Sequence, residues 1–582
     1  MLTQNRTLRS AIRLLFLCAG GVFSIMLTQC VPPTVGPTPT PTRTPKPTFT
    51  LTPSPTHTPS PTPTPAFPIT VGCTAGVPQE LCAALRDLAS ADPAHFVWTE
   101  EDAPLIALGI ADGPQSRAVG TWTYAVVAPF FTVTDAVSST ALMHVWQGVP
   151  DAAWGQRPLV VTTDTLRVLS NVWGEATGDW VQTVSASDLL THAIDLEAWA
   201  IVPFHHLTPR WKVLRVDGLS LVEKDVDMTH YPLTAPFFVG SASRPETLDF
   251  LSFAAPIWHN RDEARMTVLV MTGVTALTRA TAQLMDRVGV TYPATDIKPW
   301  FADADFVHIS NEVSFKEDCV ASGSGTMSFC SHDSYIALLE EINTNIVELT
   351  GNHLVDKGIA PLRHSFELYK ERGWQWYGGG ENLADAMQPL TLTHGGNKIA
   401  LLGCNTTDNP YDWATDELPG VATCRLRDRQ VLDPAKLEQM REKIAALKAE
   451  GYQIIISLQY YETYEYVPYN QQIRDFRIFA EMGADYVQGS QAHQAQTMEF
   501  HKDTFIHYGL GNFFFDQMWS DGTRQEFINR LLFQDGRLLN IDLRTAILEE
   551  YGRPRPMTVG DPDPAADRAQ FLQMIFDLRI TP

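Results

Sequence analysis

The chain has 582 residues, with 43 Lys and Arg against 66 Asp and Glu, a formal net charge of −23. That shortage of cations excludes a general nucleic-acid binder and a surface that docks on anionic lipid, because both need Lys and Arg in surplus. With 28 Phe, 16 Tyr and 14 Trp, apolar material is ample for packed cores, and the length suits two or three domains.

The first element is an export signal. Arg6, Arg9 and Arg13 precede an apolar run from Leu14 to Leu27 that is too short for a comfortable membrane span. The run ends in Leu27-Thr28-Gln29-Cys30, which is similar to the end of a bacterial lipoprotein signal. Cys30 is then the lipidated residue, and Gln29 departs from the small residue usual before it. Residues 1–30 are read as this signal, and the N-terminus as the only membrane attachment. Fourteen of the 40 prolines follow between Pro32 and Pro68, alternating with Thr. Such a tract favours extended polyproline II and buries no core. Residues 31–66 are therefore a disordered tether, reaching about 100 Å at about 3.1 Å per residue.

Six cysteines remain beyond the tether, in three locally spaced pairs: Cys73 and Cys82, Cys319 and Cys330, Cys404 and Cys424. No C-x-x-C occurs, so a zinc ribbon or thioredoxin-like motif is not on offer. In an exported protein the simplest reading is a disulfide within each pair, although other connectivities satisfy the same composition.

From residue 67 to 256 short apolar strands alternate with helices. TYAVVAPFF (Thr123 to Phe131), PLVVTT (Pro158 to Thr163) and DLEAWAIVPF (Asp195 to Phe204) predict an α/β domain with a largely parallel sheet. The run Ala200 to Gly218 is similar to segments of bacterial solute-binding proteins. His205 and His206, adjacent on a strand, are expected to point to opposite faces, one to the surface and one into packing.

The second half repeats strand then helix, each strand ending in a polar cluster. MTVLVMTG (Met266 to Gly273), DADFVHISNEV (Asp303 to Val313), TNIVELTGNH (Thr344 to His353) and KIALLGCN (Lys398 to Asn405) come in turn. A helix follows with Asp433 as N-cap, Pro434 at its first position and Gly451 beyond its end. YQIIISLQY (Tyr452 to Tyr460) is a strand, QQIRDFRIFAEMG a helix and ADYVQGS a strand; MEFHKDTFIHYGLGNFFFD reads as paired strands. The pattern is a layered α/β fold whose site lies at the carboxyl ends of its strands.

Within this region TGV (Thr272 to Val274), SNEV (Ser310 to Val313), GNHLVDKG (Gly351 to Gly358), GGGEN (Gly378 to Asn382), SLQY (Ser457 to Tyr460), GADYVQGSQAHQ (Gly483 to Gln494) and YGLGNFFFD (Tyr508 to Asp516) occur in order. The series resembles the capsule-synthesis protein CapA family, associated with poly-γ-glutamate production and built on a metallophosphoesterase-like fold. The resemblance covers about Met266 to Asp516 and implies a CapA-like domain over residues 264–549, followed by a C-terminal tail, 550–582. Several metal-ligand positions of the family pattern are substituted. Its Gly-Asp carboxylate falls on Val274, its strand-end His on Gln459, and two of its three clustered imidazoles on Ser490 and Gln491. A two-metal site needs anionic oxygens and neutral imidazoles, and this set is insufficient for it. At most one divalent cation, Mn or Mg, is compatible with what survives.

His353, His493 and Glu312 are the candidate catalytic residues, since imidazoles and a carboxylate at strand ends suit acid–base work. Asn352, Asn311, Tyr460, Tyr464 and Asn512 are candidate substrate-binding residues. The two tyrosines come from YYETYEYVPY (Tyr460 to Tyr469), whose flat rings and hydroxyls suit a polymer or sugar. Two classes stand open. One is a surface-tethered hydrolase or transferase acting on an anionic cell-surface polymer in capsule or exopolymer biosynthesis. The other is a non-catalytic protein that binds such a polymer or its synthesis machinery on a metal-depleted fold. No nucleic-acid partner is expected.

Overall fold

A computed structural model describes residues 68–581, apart from 102–103, 114, 153, 242–244, 252–255, 322, 324–326, 408 and 427–430. The export signal, Cys30 and almost all of the proline tract lie outside the described residues. Residues 65–582 form one compact unit.

The N-terminal part is built on a nine-stranded sheet. Its strands are β1 (Ile69–Cys73), β2 (Phe96–Trp98), β3 (Ile106–Gly109), β4 (Ser116–Pro129), β5 (Leu159–Thr162), β6 (Val181–Val184), β7 (Trp199–Pro203), β8 (Trp211–Val213) and β9 (Thr234–Gly240). Their order is β2-β1-β3-β9-β4-β7-β5-β6, with β8 also on β4. The expected largely parallel sheet is instead mixed. β1 runs parallel to β2 and β3, and β5 parallel to β6 and β7. The long β4 is antiparallel to β7, β8 and β9, and β9 is antiparallel to β3. Apolar runs report burial of both faces but not strand direction.

The C-terminal part stacks two sheets. The first contains β10 (Met266–Met271), β11 (Phe306–Asn311), β12 (Ile346–Glu348) and β13 (Gln375–Tyr377), each parallel to the next. The second contains β14 (Leu390–His394), β15 (Asn397–Asn405), β16 (Gln453–Thr463), β17 (Tyr486–Ala492), β18 (Met498–His501) and β19 (Thr504–His507), in the order β14-β15-β16-β17-β19-β18. Here β15, β16, β17 and β19 are parallel. β16 carries Ile454, Ile455, Ile456 and Leu458, all buried on one face or the other. The three β-branched isoleucines suit a strand covered on both sides, and each fully buried side chain contributes about 1.5–3 kcal/mol. The helix Pro434–Ala449 starts where expected: the Asp433 side chain accepts the Ala435 N–H, and Met440 and Ile444 face the core.

The first sheet is extended antiparallel by β20 (Gln525–Gln534), β21 (Arg537–Glu549) and β22 (Arg553–Pro556). Residues 550–582 are therefore not a tail. β22 pairs with β21, and the helix Arg568–Asp577 buries Phe571, Leu572, Ile575 and Phe576. The expected division near residue 260 falls inside one continuous apolar cluster, which includes Val126 and Trp258 as well as Val270 and Ile528. Ion pairs cross the same division: Arg568 with Asp135 at 2.6 Å, Lys224 with Asp305 at 2.7 Å and Arg544 with Glu223 at 3.1 Å.

The disulfides are Cys73–Cys82, Cys319–Cys330 and Cys404–Cys424, as the local spacing suggests. Among the described residues no helix is long and apolar enough to cross a membrane.

Candidate functional site

The carboxyl ends of β11, β12, β16 and β17 converge between the two sheets. Glu312 follows β11, Asn352 and His353 follow β12, Gln459 lies in β16, and Gln491 and His493 lie at the end of β17. Gly351 permits the approach of the first two strand ends, because a Cβ there would sit 2.6 Å from the Glu312 Cα.

Gln459 is the hub. Its Nε2 donates to Glu312 Oε1 at 2.8 Å, to Asn352 Oδ1 at 3.0 Å, and to Gln491 Oε1. An amide nitrogen carries two protons, so three oxygens share them. The Gln459 Oε1 is buried without a partner. Gln491 holds φ = +74°, a left-handed conformation that costs a non-glycine residue about 1–2 kcal/mol. Strain of this kind concentrates at functional sites.

His353 is mostly buried, and its Nδ1 lies 2.9 Å from Asp356 Oδ2. Burial alone would push its pKa down. The hydrogen bond to Asp356 and the charges of Glu312, Asp356 and Asp412 outweigh burial, and the net shift is upward. Asp356 also accepts the Phe329 N–H at 2.8 Å.

Asp412 was not singled out by the sequence. It lies in the loop bracketed by Cys404 and Cys424, is 1% exposed, and accepts the Val355 N–H at 2.9 Å and the Asn409 side-chain amide. Burial, aided by the Asp356 charge, raises its pKa to about 7. Only the tertiary packing of that loop makes it special, and no local motif marks it.

On the opposite wall, Asn512 fixes His493. The Asn512 Nδ2 donates to the carbonyls of His493 and Thr523 at 3.0 and 2.9 Å, which turns its Oδ1 toward His493 Nδ1 at 2.8 Å. His493 Nδ1 is then the donor, and Nε2 carries the lone pair. Asn512 thus positions His493.

The two histidines flank one small apolar patch of Val274, Ala276, Val313, Phe329 and Phe515. Phe329 meets the His353 ring at 4.7 Å and Phe515 the His493 ring at 5.3 Å. The Arg279 guanidinium spans both phenyl rings, at 5.5 and 4.7 Å, while ion-paired to Asp516. Arg279, a further residue the sequence did not flag, is the cation of this wall. Tyr464 stacks near His493 at 6.1 Å and its hydroxyl donates to Glu462.

Two candidates are not brought to the site. The Asn311 side chain donates to the Val313 carbonyl and the Tyr369 hydroxyl, both at 2.9 Å; it braces the turn. Alternation along the strand gives the site side to Ser310, which meets Ser490 at 2.9 Å. Tyr460 is buried, donating to Asp475 at 2.7 Å and packing on Phe476. His205 and His206 also depart from expectation. They sit in a 3₁₀ turn after β7 rather than on a strand, and both reach Glu80.

The resemblance implies metal ions at this site. Among the described residues no three His, Cys, Asp or Glu donors converge here, Val274 contributes hydrocarbon, and the oxygens of Glu312, Asn352 and Gln491 converge on the Gln459 amide. One carboxylate and two neutral amide oxygens fall short of what two cations need.

The architecture defines a metallophosphoesterase-like α/β domain with a carboxylate–imidazole site at its strand ends. Residues 268–517 match the bacterial capsule synthesis protein family PGA_cap, and this part of the chain is a CapA-family domain. The chain is 23% identical over 307 residues to the capsule biosynthesis protein CapA of Bacillus anthracis, covering 52% of this chain and 72% of that protein. It is 23% identical over 227 residues to the PGA biosynthesis protein CapA of Bacillus subtilis, covering 38% of this chain and 57% of that protein. Over 32% of the chain, an ABC-type phosphate transport receptor from Vibrio cholerae aligns over 92% of its length at 13% identity and a TM-score of 0.27, a likeness too low to carry an argument.

Proposed function

We propose that this protein acts in capsule or exopolymer biosynthesis of the poly-γ-glutamate type, outside the cytoplasm and tethered by its N-terminus through Cys30 and the 31–66 tract. Its site works on an anionic polymer by metal-independent acid–base chemistry in hydrolysis or transfer. The observation that carries this reading is the His353–Asp356–Asp412 cluster beside Glu312. Its carboxylates raise the His353 pKa, and Asp412 titrates at about 7, which matches a group to proton transfer near neutral pH. His353, protonated on both nitrogens, gives a proton to a leaving amine. His493 Nε2, held as a lone-pair nitrogen by Asn512, accepts one from the attacking group. Arg279 lies on the same wall, its charge paired with Asp516, so an anionic segment there would compete with that carboxylate for the guanidinium.

A second reading is favoured by the Gln459 hub and the Val274 patch, which close the ligand positions: polymer binding or assembly without turnover. The test incubates the purified full chain with poly-γ-glutamate, with and without EDTA, and follows new amine ends and polymer length. EDTA-insensitive release that His353→Ala abolishes supports the enzyme. Binding with no change in length supports the second reading, and neither binding nor product overturns both.

A further inference from the structure

A second cluster of metal-type donors lies in the N-terminal part, away from the site above. Glu80 stands in the first turn of the helix Gln79–Ala91. The 3₁₀ turn Phe204–His206 bends the chain just after β7, so two consecutive imidazoles face one carboxylate. His205 Nε2 lies 2.9 Å from Glu80 Oε2 and His206 Nε2 lies 2.7 Å from Glu80 Oε1. One ligand atom from each residue falls within 4.8 Å of the others. A tetrahedral zinc site with bonds of 2.0–2.1 Å has donor–donor edges of roughly 3.3 Å, which the trio reaches by small side-chain rotations. His205 is held against Trp122, edge to face at 4.7 Å, so one imidazole is already oriented.

A second, independent feature points to a ligand at the same place. Glu80 and His206 border a cavity of about 340 Å³ that is also lined by Trp122, on which His205 packs, and by Tyr124, Thr162 and Asp164. The Tyr124 side chain is 1% exposed, and its hydroxyl is buried with no hydrogen-bond partner. Buried hydroxyls are normally paired, so this one lacks the group it was placed to meet. Burial raises the Tyr124 pKa, with the Asp164 and Glu80 charges adding to it, which marks the cavity as electronegative.

We propose that Glu80, His205 and His206 bind a divalent transition-metal cation of the zinc class, with an open coordination position facing the cavity. Two imidazoles and one carboxylate are the ligand set of zinc sites that keep a fourth position free. Tyr124 stands at the cavity wall to meet whatever occupies that position. The site is separate from the CapA-type site and does not depend on the function proposed for it.

The experiment uses the full chain, stripped with chelator and then titrated with Zn(II) alone and with Co(II) alone, read by calorimetry and by the visible absorption of bound cobalt. One equivalent of Zn(II) is expected, with Co(II) giving the spectrum of a low-coordinate nitrogen–oxygen site. Glu80→Gln and His206→Ala should each weaken it by about 100-fold or more, since even outer-shell losses cost 10–100-fold, whereas His353→Ala should leave it unchanged. His206 is partly exposed in a surface turn, and far-ultraviolet circular dichroism of both variants confirms that the fold is kept. No uptake by the wild-type chain, or uptake unchanged in both variants, overturns the proposal. Loss of uptake in His353→Ala alone would place the metal at the other site and overturn it as well.

Discussion

Replacing Asp412 with Asn tests whether the candidate site was built around a carboxyl group kept neutral by burial. In the folded protein this group is pushed up to about 7, against an ordinary value of 3.8. Its folded pKa is raised, so the folded state holds more protons than the unfolded state between those two values. Stability is then greatest below pH 4 and falls as pH rises toward 7. Three pH units at 1.36 kcal/mol each correspond to about 4 kcal/mol lost by pH 8. Asn cannot ionise and escapes that loss. It has its own cost, because its amide would face the Asn409 Nδ2 that now donates to Asp412. Asn409 cannot simply turn over, since the same nitrogen donates to the Asn352 carbonyl at 3.1 Å. One buried unmet hydrogen bond costs about 1–3 kcal/mol. The two effects have different pH dependence, so the curves must cross. Wild type has already lost about 1.7 kcal/mol by pH 5, so Asp412→Asn should be within about 1 kcal/mol of wild type there, and should gain about 2.5 kcal/mol on it by pH 8, where it is more stable by about 1–3 kcal/mol. Urea unfolding of both proteins from pH 4.5 to 8.5 gives the two curves. A difference between them that stays constant across this range would refute the raised pKa and, with it, the assignment of Asp412 as a proton-holding group.

Three further outcomes are expected. His353 has a raised folded pKa, so the stability it contributes is complete below its unfolded value of about 6.5 and is lost as pH rises through the folded value; His353→Gln should flatten the fall in unfolding free energy above pH 6.5 and leave any change below it constant. Gln459→Leu removes the only donor shown to Glu312, Asn352 and Gln491 together and should cost about 3 kcal/mol, because a buried charge loses its compensation; a loss below about 1 kcal/mol in urea unfolding would show that the hub is not structural. Replacing both Cys404 and Cys424 with Ser opens a loop whose ends are 20 residues apart and should lower unfolding free energy by about 3 kcal/mol on the chain-entropy account. Because that loop buries Asp412, the double variant should also shift the Asp412-linked pH dependence toward that of an ordinary carboxyl group.

Much of the C-terminal architecture was legible because its information is local. A run such as Ile454 to Leu458 is long, β-branched and polar at its end, and Asp433-Pro434 with Gly451 brackets a helix without help from the rest of the chain. The positions of Glu312, His353 and His493 followed from the same logic, since strand ends in parallel sheets carry sites. What was not legible depends on pairing or packing between distant segments. β4 is antiparallel to three neighbours, and nothing in Thr123 to Phe131 encodes which way a partner runs. His205 and His206 were expected to diverge because a strand was extended one turn too far; Pro203 ends it, and the 3₁₀ turn brings both rings together. Tyr460 lies on the core side of its strand and Asn311 on the side away from the site, a choice that register makes. Asp412 and Arg279 acquire their roles only from the disulfide-closed loop and from the two phenyl rings that Arg279 spans.

The substitutions at the family's ligand positions act together rather than as separate losses. Removing a cation from a cluster of oxygens leaves repulsion that something must answer. Gln459 does so by placing an amide nitrogen against the oxygens of Glu312, Asn352 and Gln491, a weaker positive pole than a metal but one that needs no ion. Val274 does the complementary thing on the other side. Where a carboxylate would demand a counter-charge, it packs with Val313, Phe329 and Phe515 and so gives the two histidines apolar faces to rest on. Either change alone would leave a buried charge or a buried cavity, each costing several kcal/mol. Together they give a closed site in which the Gln459 amide solvates the oxygens, Arg279 answers Asp516, and protons are held on His353 and Asp412. A site balanced by protons responds to pH, whereas one balanced by metal responds to chelators. EDTA should therefore separate the two sites, acting on the Glu80–His205–His206 cluster and leaving the CapA-type site, whose charge is set by protons, unchanged.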